Sequence, residues 1–316
     1  MKENKKPILS ICIPTWNRRY SLQYTLKSIM DQEEFRSWDV EIVISDNAST
    51  DETETEVWKL CKKYINIKYF RNKENIWWNP NINKAFSLWT WEYLWLLWSD
   101  SIIINDWIRD TINTIKNTKP DIIYYNREDW QPLYIDDKLP EFDTSRNIYQ
   151  VKWQKSFVRL LNNLYWFNKS NFWFIEKIIT FISIRCISKK QYDKIIKTVY
   201  SQQKDFDKHS FSQTILFFFK EVENSIIVLC TPHISRNRMG KQNRTSYWVT
   251  WKIMKDLIYI YKYIQNKYWV KFKKAILCKS IFLWSKRYFF SVIWKIISFL
   301  WLLDFIEPIY RKRKNK

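Results

Sequence analysis

Three short polar clusters near the start of the chain carry the groups best suited to chemistry. Thr15-Trp16-Asn17-Arg18 sets a hydroxyl, an amide and a guanidinium directly after an apolar run ending at Pro14. A cation and free backbone N–H groups at such a turn suit an anion. Ser45-Asp46-Asn47-Ala48-Ser49-Thr50-Asp51 supplies two carboxylates, and Ser99-Asp100-Ser101 supplies a third. A carboxylate at a strand end can accept from N–H and O–H donors or hold a divalent cation. Each cluster also has a plainer reading: a helix cap with a surface arginine at Thr15–Arg18, and simple turns at Asp46 and Asp100. Asp51 suits an N-cap for the next helix as well as it suits a site.

The segments around these clusters alternate in type. Short β-branched or apolar runs at Ile8–Ile13, Val40–Ser45, Ile67–Phe70, Tyr93–Leu97 and Ile122–Tyr125 read as strands. Between them, Ser21–Met30 (with Ser21 as N-cap), a segment through Val57, Leu60 and Tyr64, Asn81–Leu88 and Ile108–Ile115 have helical spacing. Repeated β-α-β alternation predicts an α/β fold, a mainly parallel sheet with helices on both faces. Ligands of such sheets sit at the carboxyl ends of the strands. All three polar clusters fall there. Residues 151–225 read as mostly helical, with a strand possible at Phe172–Ser183.

Charge is uneven. The chain carries +21, and the stretch from Cys230 to Lys316 holds 20 Lys and Arg against Asp256, Asp304 and Glu307, which is +17 of it. A segment this basic, interleaved with Tyr, Phe and Ile, suits an anionic surface: a membrane leaflet or nucleic acid. Tyr288–Leu303 is its most apolar part, but 16 residues interrupted by Lys295 fall short of the ~20 a bilayer span needs. An amphipathic helical tail lying in the membrane interface is the expectation, reinforced by Arg311–Lys316. The basic start, Met1–Lys6, leads into a first strand and not into a secretory signal. Five scattered cysteines and two histidines offer neither a disulfide framework nor a His-rich metal site.

The ordered motifs Ile11–Arg18, Glu41–Asp51 and Glu92–Ser101 resemble the nucleotide-sugar-binding half of family 2 glycosyltransferases with the GT-A fold. The resemblance covers roughly residues 7–130 and weakens to about residue 215. It implies a domain over 1–225, with a nucleotide-sugar half at about 7–130 and an acceptor half at about 131–225. Residues 226–316 then form a basic loop and an amphipathic extension. It further implies that Thr15, Asn17 and Arg18 line the nucleotide-sugar pocket, that Asp46 binds its base or ribose, and that Asp100 holds Mg²⁺ or Mn²⁺. Position 98 is not acidic and Ser101 stands where many relatives carry a second Asp, so the phosphates would supply most metal ligands. The base that deprotonates the acceptor hydroxyl is expected among Asp205, Asp207 and His209. Arg236 and Arg238 could clamp phosphate.

The activity implied is transfer of a sugar, with inversion, from a nucleotide diphosphate to a polysaccharide or lipid-linked acceptor. The expected location is cytoplasmic, on the inner membrane face, with nucleic acid an unlikely partner. The alternative is a non-catalytic membrane- or nucleic-acid-binding protein on a degenerate scaffold of the same kind.

One compositional fact bears on the site. The chain has one glycine, Gly240, and 20 tryptophans, which together approach the ~22 glycines that about 7% usage gives. Trp77, Trp78, Trp89, Trp91 and Trp98 stand in loops and turns where glycine is expected. The counts imply a gene in which a codon read here as tryptophan means glycine in its native host, with Trp95 the best candidate for a true tryptophan.

Overall fold

The computed structural model describes residues 6–236 apart from 105, 128–132, 169–170, 172–184 and 203–222. The possible strand at Phe172–Ser183, the residues Asp205, Asp207, His209 and Arg238, and the amphipathic stretch beyond Thr250 lie outside the described residues.

The first half follows the alternation expected. Strands β1 (Leu9–Thr15), β2 (Val40–Asp46), β3 (Ile67–Arg71) and β4 (Tyr93–Leu96) are separated by helices α1 (Arg19–Met30), α2 (Glu33–Arg36), α3 (Thr53–Lys63) and α4 (Trp78–Ser87). β1 and β2 are buried at every position, as strands covered on both faces must be. A short strand β5 (Ser101–Ile103), helix α5 (Trp107–Thr118) and strand β6 (Ile122–Arg127) complete this half. Strands β7 (Phe142–Asp143) and β8 (Ile148–Trp153) follow, then helix α6 (Gln154–Phe167), strand β9 (Arg185–Ser188), helix α7 (Lys189–Gln202) and strand β10 (Glu223–Arg236).

The ten described strands form one sheet in the order β3-β2-β1-β4-β9-β6-β10-β8-β7, with β5 paired to β10. β1 is parallel to β2 and β4, β2 to β3, and β10 to β6, while β9 runs antiparallel between β4 and β6. Two expectations are corrected here. Residues 226–236 are not a loop outside the sheet domain, because β10 pairs with β6, β8 and β5. Ser21 is not the cap of α1; the helix starts two residues earlier, and the Ser21 hydroxyl donates to the Arg18 carbonyl at 3.2 Å.

The register sets up the rim. Thr15 pairs with Asp46, and Asp46 with Arg71, so three polar residues share one row at the carboxyl ends of adjacent strands. At the other end, buried Glu41 accepts from Ser10 Oγ at 2.5 Å and from Lys68 Nζ at 2.8 Å. That pairing satisfies a carboxylate which burial would otherwise penalise. The four described cysteines are free thiols, three of them buried.

The tryptophans divide by environment. Trp95 is fully buried in β4, against Trp107 and Tyr125. The Trp95 and Trp107 centroids lie only 3.7 Å apart, closer than the 4.5–7 Å usual for aromatic pairs. Trp38 and Trp77 instead take positive φ, 67° and 69°. Trp38 follows α2 where its N–H donates to the Phe35 carbonyl at 3.3 Å and that of Asp39 donates to the Glu34 carbonyl at 2.9 Å. Those two bonds define a Schellman cap, whose left-handed residue is usually glycine. Trp77 has ψ 166°, in a region that is essentially glycine-only and costs other residues about 1–3 kcal/mol. Its side chain is 76% exposed and gains little burial in return.

Trp77→Gly is therefore expected to raise stability by about 1–2 kcal/mol, the strain relieved less the entropy of a freer unfolded chain. Trp95→Gly should lower it by about 3–5 kcal/mol through lost core packing. Urea unfolding of both variants checks the pair of signs.

Candidate active site

The loops after β1, β2 and β4 meet at the carboxyl rim; hydrogen bonds join the first two, and an ion pair reaches from the first to the third. Asn17 takes a left-handed φ of 50°, which Asn tolerates better than most residues. Its backbone N–H donates to Ser49 Oγ at 2.9 Å, and its Oδ1 accepts from the Thr50 N–H at 2.7 Å. Asp51 ties the same two loops together. One of its oxygens accepts from the first N–H of α1, on Arg19, at 3.1 Å; the other accepts from the Thr53 N–H of α3, also at 3.1 Å. A single carboxylate thus serves two helix N-termini, where orphan N–H groups and the helix dipole favour negative charge.

Asp46 has no exposed surface. Its Oδ1 accepts from Ser49 N–H at 3.0 Å and Ser49 Oγ at 2.5 Å, and its Oδ2 accepts from Tyr69 O–H at 2.5 Å. Burial, and then this bond to Asp46, raise the Tyr69 phenol well above its ordinary pKa, so the phenol stays protonated and donating. Asp46 therefore sits at the expected place but faces protein donors.

Beside it lies an amide cluster that the sequence reading passed over. Asn47 donates to Asn75 Oδ1 at 2.7 Å and to the Trp77 carbonyl at 3.2 Å, and accepts from Asn72 Nδ2 at 3.1 Å. Asn81 accepts from Ser45 Oγ at 2.8 Å and from Asn72 at 2.9 Å. These contacts anchor the loop after β3 to the end of β2. The signal was available: Arg71–Asn75 is a fourth polar cluster at a strand end.

The third loop turns tightly, with the Ser101 N–H donating to the Trp98 carbonyl at 3.0 Å. Trp98 is half-buried and packs against the core. Arg18 Nη1 lies 3.9 Å from Asp100 Oδ2, with side-chain exposures of 37% and 19%. Thr15 Oγ1 and Ser101 Oγ are buried at the same rim with no hydrogen-bond partner among the described residues. Arg236 of β10 pairs in register with Ser101, which puts its backbone beside this loop.

Among the described residues no three His, Cys, Asp or Glu side chains gather to hold a metal ion. Asp100 is one carboxylate with a guanidinium next to it. That donor set alone does not make a divalent-cation site, which needs about six oxygen ligands. Among the described residues no helix is long and apolar enough to cross a membrane.

The family model for Glycosyl transferase family 2 matches residues 10–186. An abequosyltransferase of Salmonella typhimurium is 30% identical over 198 residues, 60% of this chain and 55% of that protein. The GalNAc(5)-diNAcBac-PP-undecaprenol beta-1,3-glucosyltransferase of Campylobacter jejuni is 44% identical over 78 residues, 25% of this chain and 24% of that protein. The match thus spans about half of the first relative's length and about a quarter of the second's. Among solved structures, S. aureus TarS 1-349 in complex with UDP-GlcNAc superposes with a TM-score of 0.56 at 18% identity, covering 86% of this chain and 71% of that one. A mannosyltransferase of Pyrobaculum calidifontis in complex with GDP-Man and Mn²⁺ gives 0.53 at 12% identity, covering 89% and 70%. Both likenesses concern the fold.

Tyr69→Phe removes one donor to a buried carboxylate, and should cost about 1–3 kcal/mol. Urea unfolding measures this loss, and it should leave the thermal transition cooperative.

Proposed function

The chain belongs to glycosyl transferase family 2, and on that premise we propose that it transfers a sugar from a nucleotide diphosphate to a glycan or lipid-linked acceptor, with inversion. The observation that carries the reading is the convergence of three loops at one rim, where Asn17 bonds to Ser49 and Thr50 while Arg18 faces Asp100. Thr15, Asn17 and Arg18 would line the diphosphate end of the donor pocket. Asp46 would set the nucleotide end by holding Tyr69 and Ser49 in place. The buried hydroxyls of Thr15 and Ser101, which no described group engages, supply further polar contacts.

The chemistry asks little covalent work of the protein. An acceptor hydroxyl attacks the anomeric carbon, the sugar–phosphate bond breaks, and negative charge grows on the departing diphosphate. Arg18 stabilises that charge by position and electrostatics. A base must take the hydroxyl proton, and Asp205, Asp207 or His209 is proposed for it. Mg²⁺ or Mn²⁺, when bound, would neutralise phosphate charge; Asp100 would hold it only together with the donor's own phosphate oxygens. The lipid-linked substrate in the name of the Campylobacter relative and the +17 carried by Cys230–Lys316 support an acceptor at an anionic membrane surface. Residues 1–236, which end with β10, would then form the catalytic domain, and 237–316 the membrane-facing extension.

Protein carrying glycine at Trp77, Trp78, Trp89, Trp91 and Trp98 should hydrolyse or transfer sugar from at least one of a panel of UDP- and dTDP-sugars. Asp100→Ala should lower that rate about 10²-fold or more with little change in the urea midpoint. No turnover with any donor, alongside tight and steeply salt-dependent DNA binding, would reject the enzyme reading. Deleting the chain after Thr250 should abolish co-sedimentation with phosphatidylserine-containing liposomes; undiminished binding would count against the membrane role.

A further inference from the structure

A groove of about 280 Å³ runs between helix α5 and the turn that joins β7 to β8, and none of the rim residues lines it. Its floor follows from register. Tyr125 of β6 pairs with Leu229 of β10, and Leu229 with Ile148 of β8, so these side chains point to one face of the sheet. α5 covers that face at Tyr125, whose hydroxyl accepts from Thr111 at 3.4 Å. α6 packs on the other face, where Phe157 stacks on Tyr124. The walls are polar. Asp110, Asn113 and Asn117 recur at helical spacing along one side of α5. Arg146, Asn147 and Thr231 form the other wall. Asn147 takes a left-handed φ of 54°. Its carbonyl accepts from the Cys230 N–H at 3.3 Å and its amide donates to Thr231 Oγ1 at 3.0 Å, which ties the turn to β10. Asn113 and Asn117 make no side-chain hydrogen bond to a described residue.

The lining decides the class of ligand. One carboxylate and one guanidinium cancel, so in a chain of +21 this groove has no excess positive charge for phosphate or nucleic acid. It offers amides, each with donors and an acceptor, beside the hydroxyls of Thr114 and Thr231 and an apolar floor. A sugar ring matches that set, since each of its hydroxyls gives one hydrogen bond and accepts another while its C–H groups rest on the floor. We propose that this groove binds sugar units of the acceptor remote from the hydroxyl that reacts. This rests on the reading of the chain as a sugar transferase with a glycan acceptor. Thr231 stands five residues before Arg236 on β10, and Arg236 pairs with Ser101, next to Asp100. At ~3.3 Å per residue the groove comes within ~17 Å of the third loop. A saccharide of several units spans that gap. Held here, it keeps its reactive end concentrated at the rim, which lowers KM for long acceptors and leaves kcat alone.

The test is saturation-transfer NMR on the full chain, with D-galactose, D-mannose, L-rhamnose and N-acetyl-D-glucosamine as probes. At least one should take up saturation, and excess UDP or dTDP should leave its signal in place because the donor pocket lies elsewhere. Asn113→Ala combined with Asn117→Ala should weaken that binding about ten-fold, through two lost neutral hydrogen bonds. Alanine suits an exposed helix position, so the urea midpoint should not fall. No saturation of any probe, displacement by UDP or dTDP, or undiminished binding by the double variant would each overturn the proposal. The transferase reading fails separately. Sugar bound in the groove of a protein that turns over no donor leaves the saccharide site standing without that reading, whereas turnover with no sugar bound removes the groove alone.

Discussion

The buried carboxylate of Asp46 is the constraint on which the rim depends. A fully buried charge survives only if its oxygens are met by donors, and here the donors come from different elements. Ser49 supplies two from the loop that follows β2, and Tyr69 supplies one from the neighbouring strand β3. Meeting that requirement fixes the path of the second loop. Ser49, once placed, accepts from Asn17 and so fixes the first loop too. Arg18 comes next in the chain, and its reach to Asp100 follows from a backbone already set. One desolvated acid therefore orders side chains that never touch it.

Much of this was legible in the sequence, and the part that was not has physical causes. Period and composition marked out β1 to β4 and β6 to within two residues, because β1, β2 and β4 are buried along their length and read as mainly apolar runs. The loops of the candidate site were legible because polar residues directly after apolar runs mark the ends of the strands. Tyr69 was hidden, since a tyrosine in a strand looks like ordinary packing until its hydroxyl is seen to meet a carboxylate. The amide cluster of Asn47, Asn72, Asn75 and Asn81 left a signal in the polar run Arg71–Asn75, but asparagine is common throughout the chain and the run does not stand out. β10 was misjudged because Pro232 and the basic residues after it read as loop. The register shifts around Pro232 show how the strand accommodates a residue that lacks an N–H.

The tryptophans form a second constraint, acting on the same loops. Trp77 lends its carbonyl to Asn47 while its own backbone occupies a conformation that suits glycine. Trp98 precedes the acid of the third loop and packs partly against the core. Smaller side chains at these points would leave the described hydrogen bonds in place, since those bonds use the backbone of both residues. The architecture of the rim is thus separable from the bulk that the tryptophans add to it.

The position of β10 has a consequence for how the protein is made. This strand lies between β6 and β8, yet it is the last of the described strands to leave the ribosome. At about 5–20 residues per second, β6 and β8 wait several seconds with open edges before their shared neighbour is synthesised. Unpaired edges recruit other chains, and contacts so distant in sequence form slowly. Nascent chains of this protein should therefore lean on chaperones until residue 236 has emerged, and truncation ahead of β10 should yield aggregates in place of a smaller working domain.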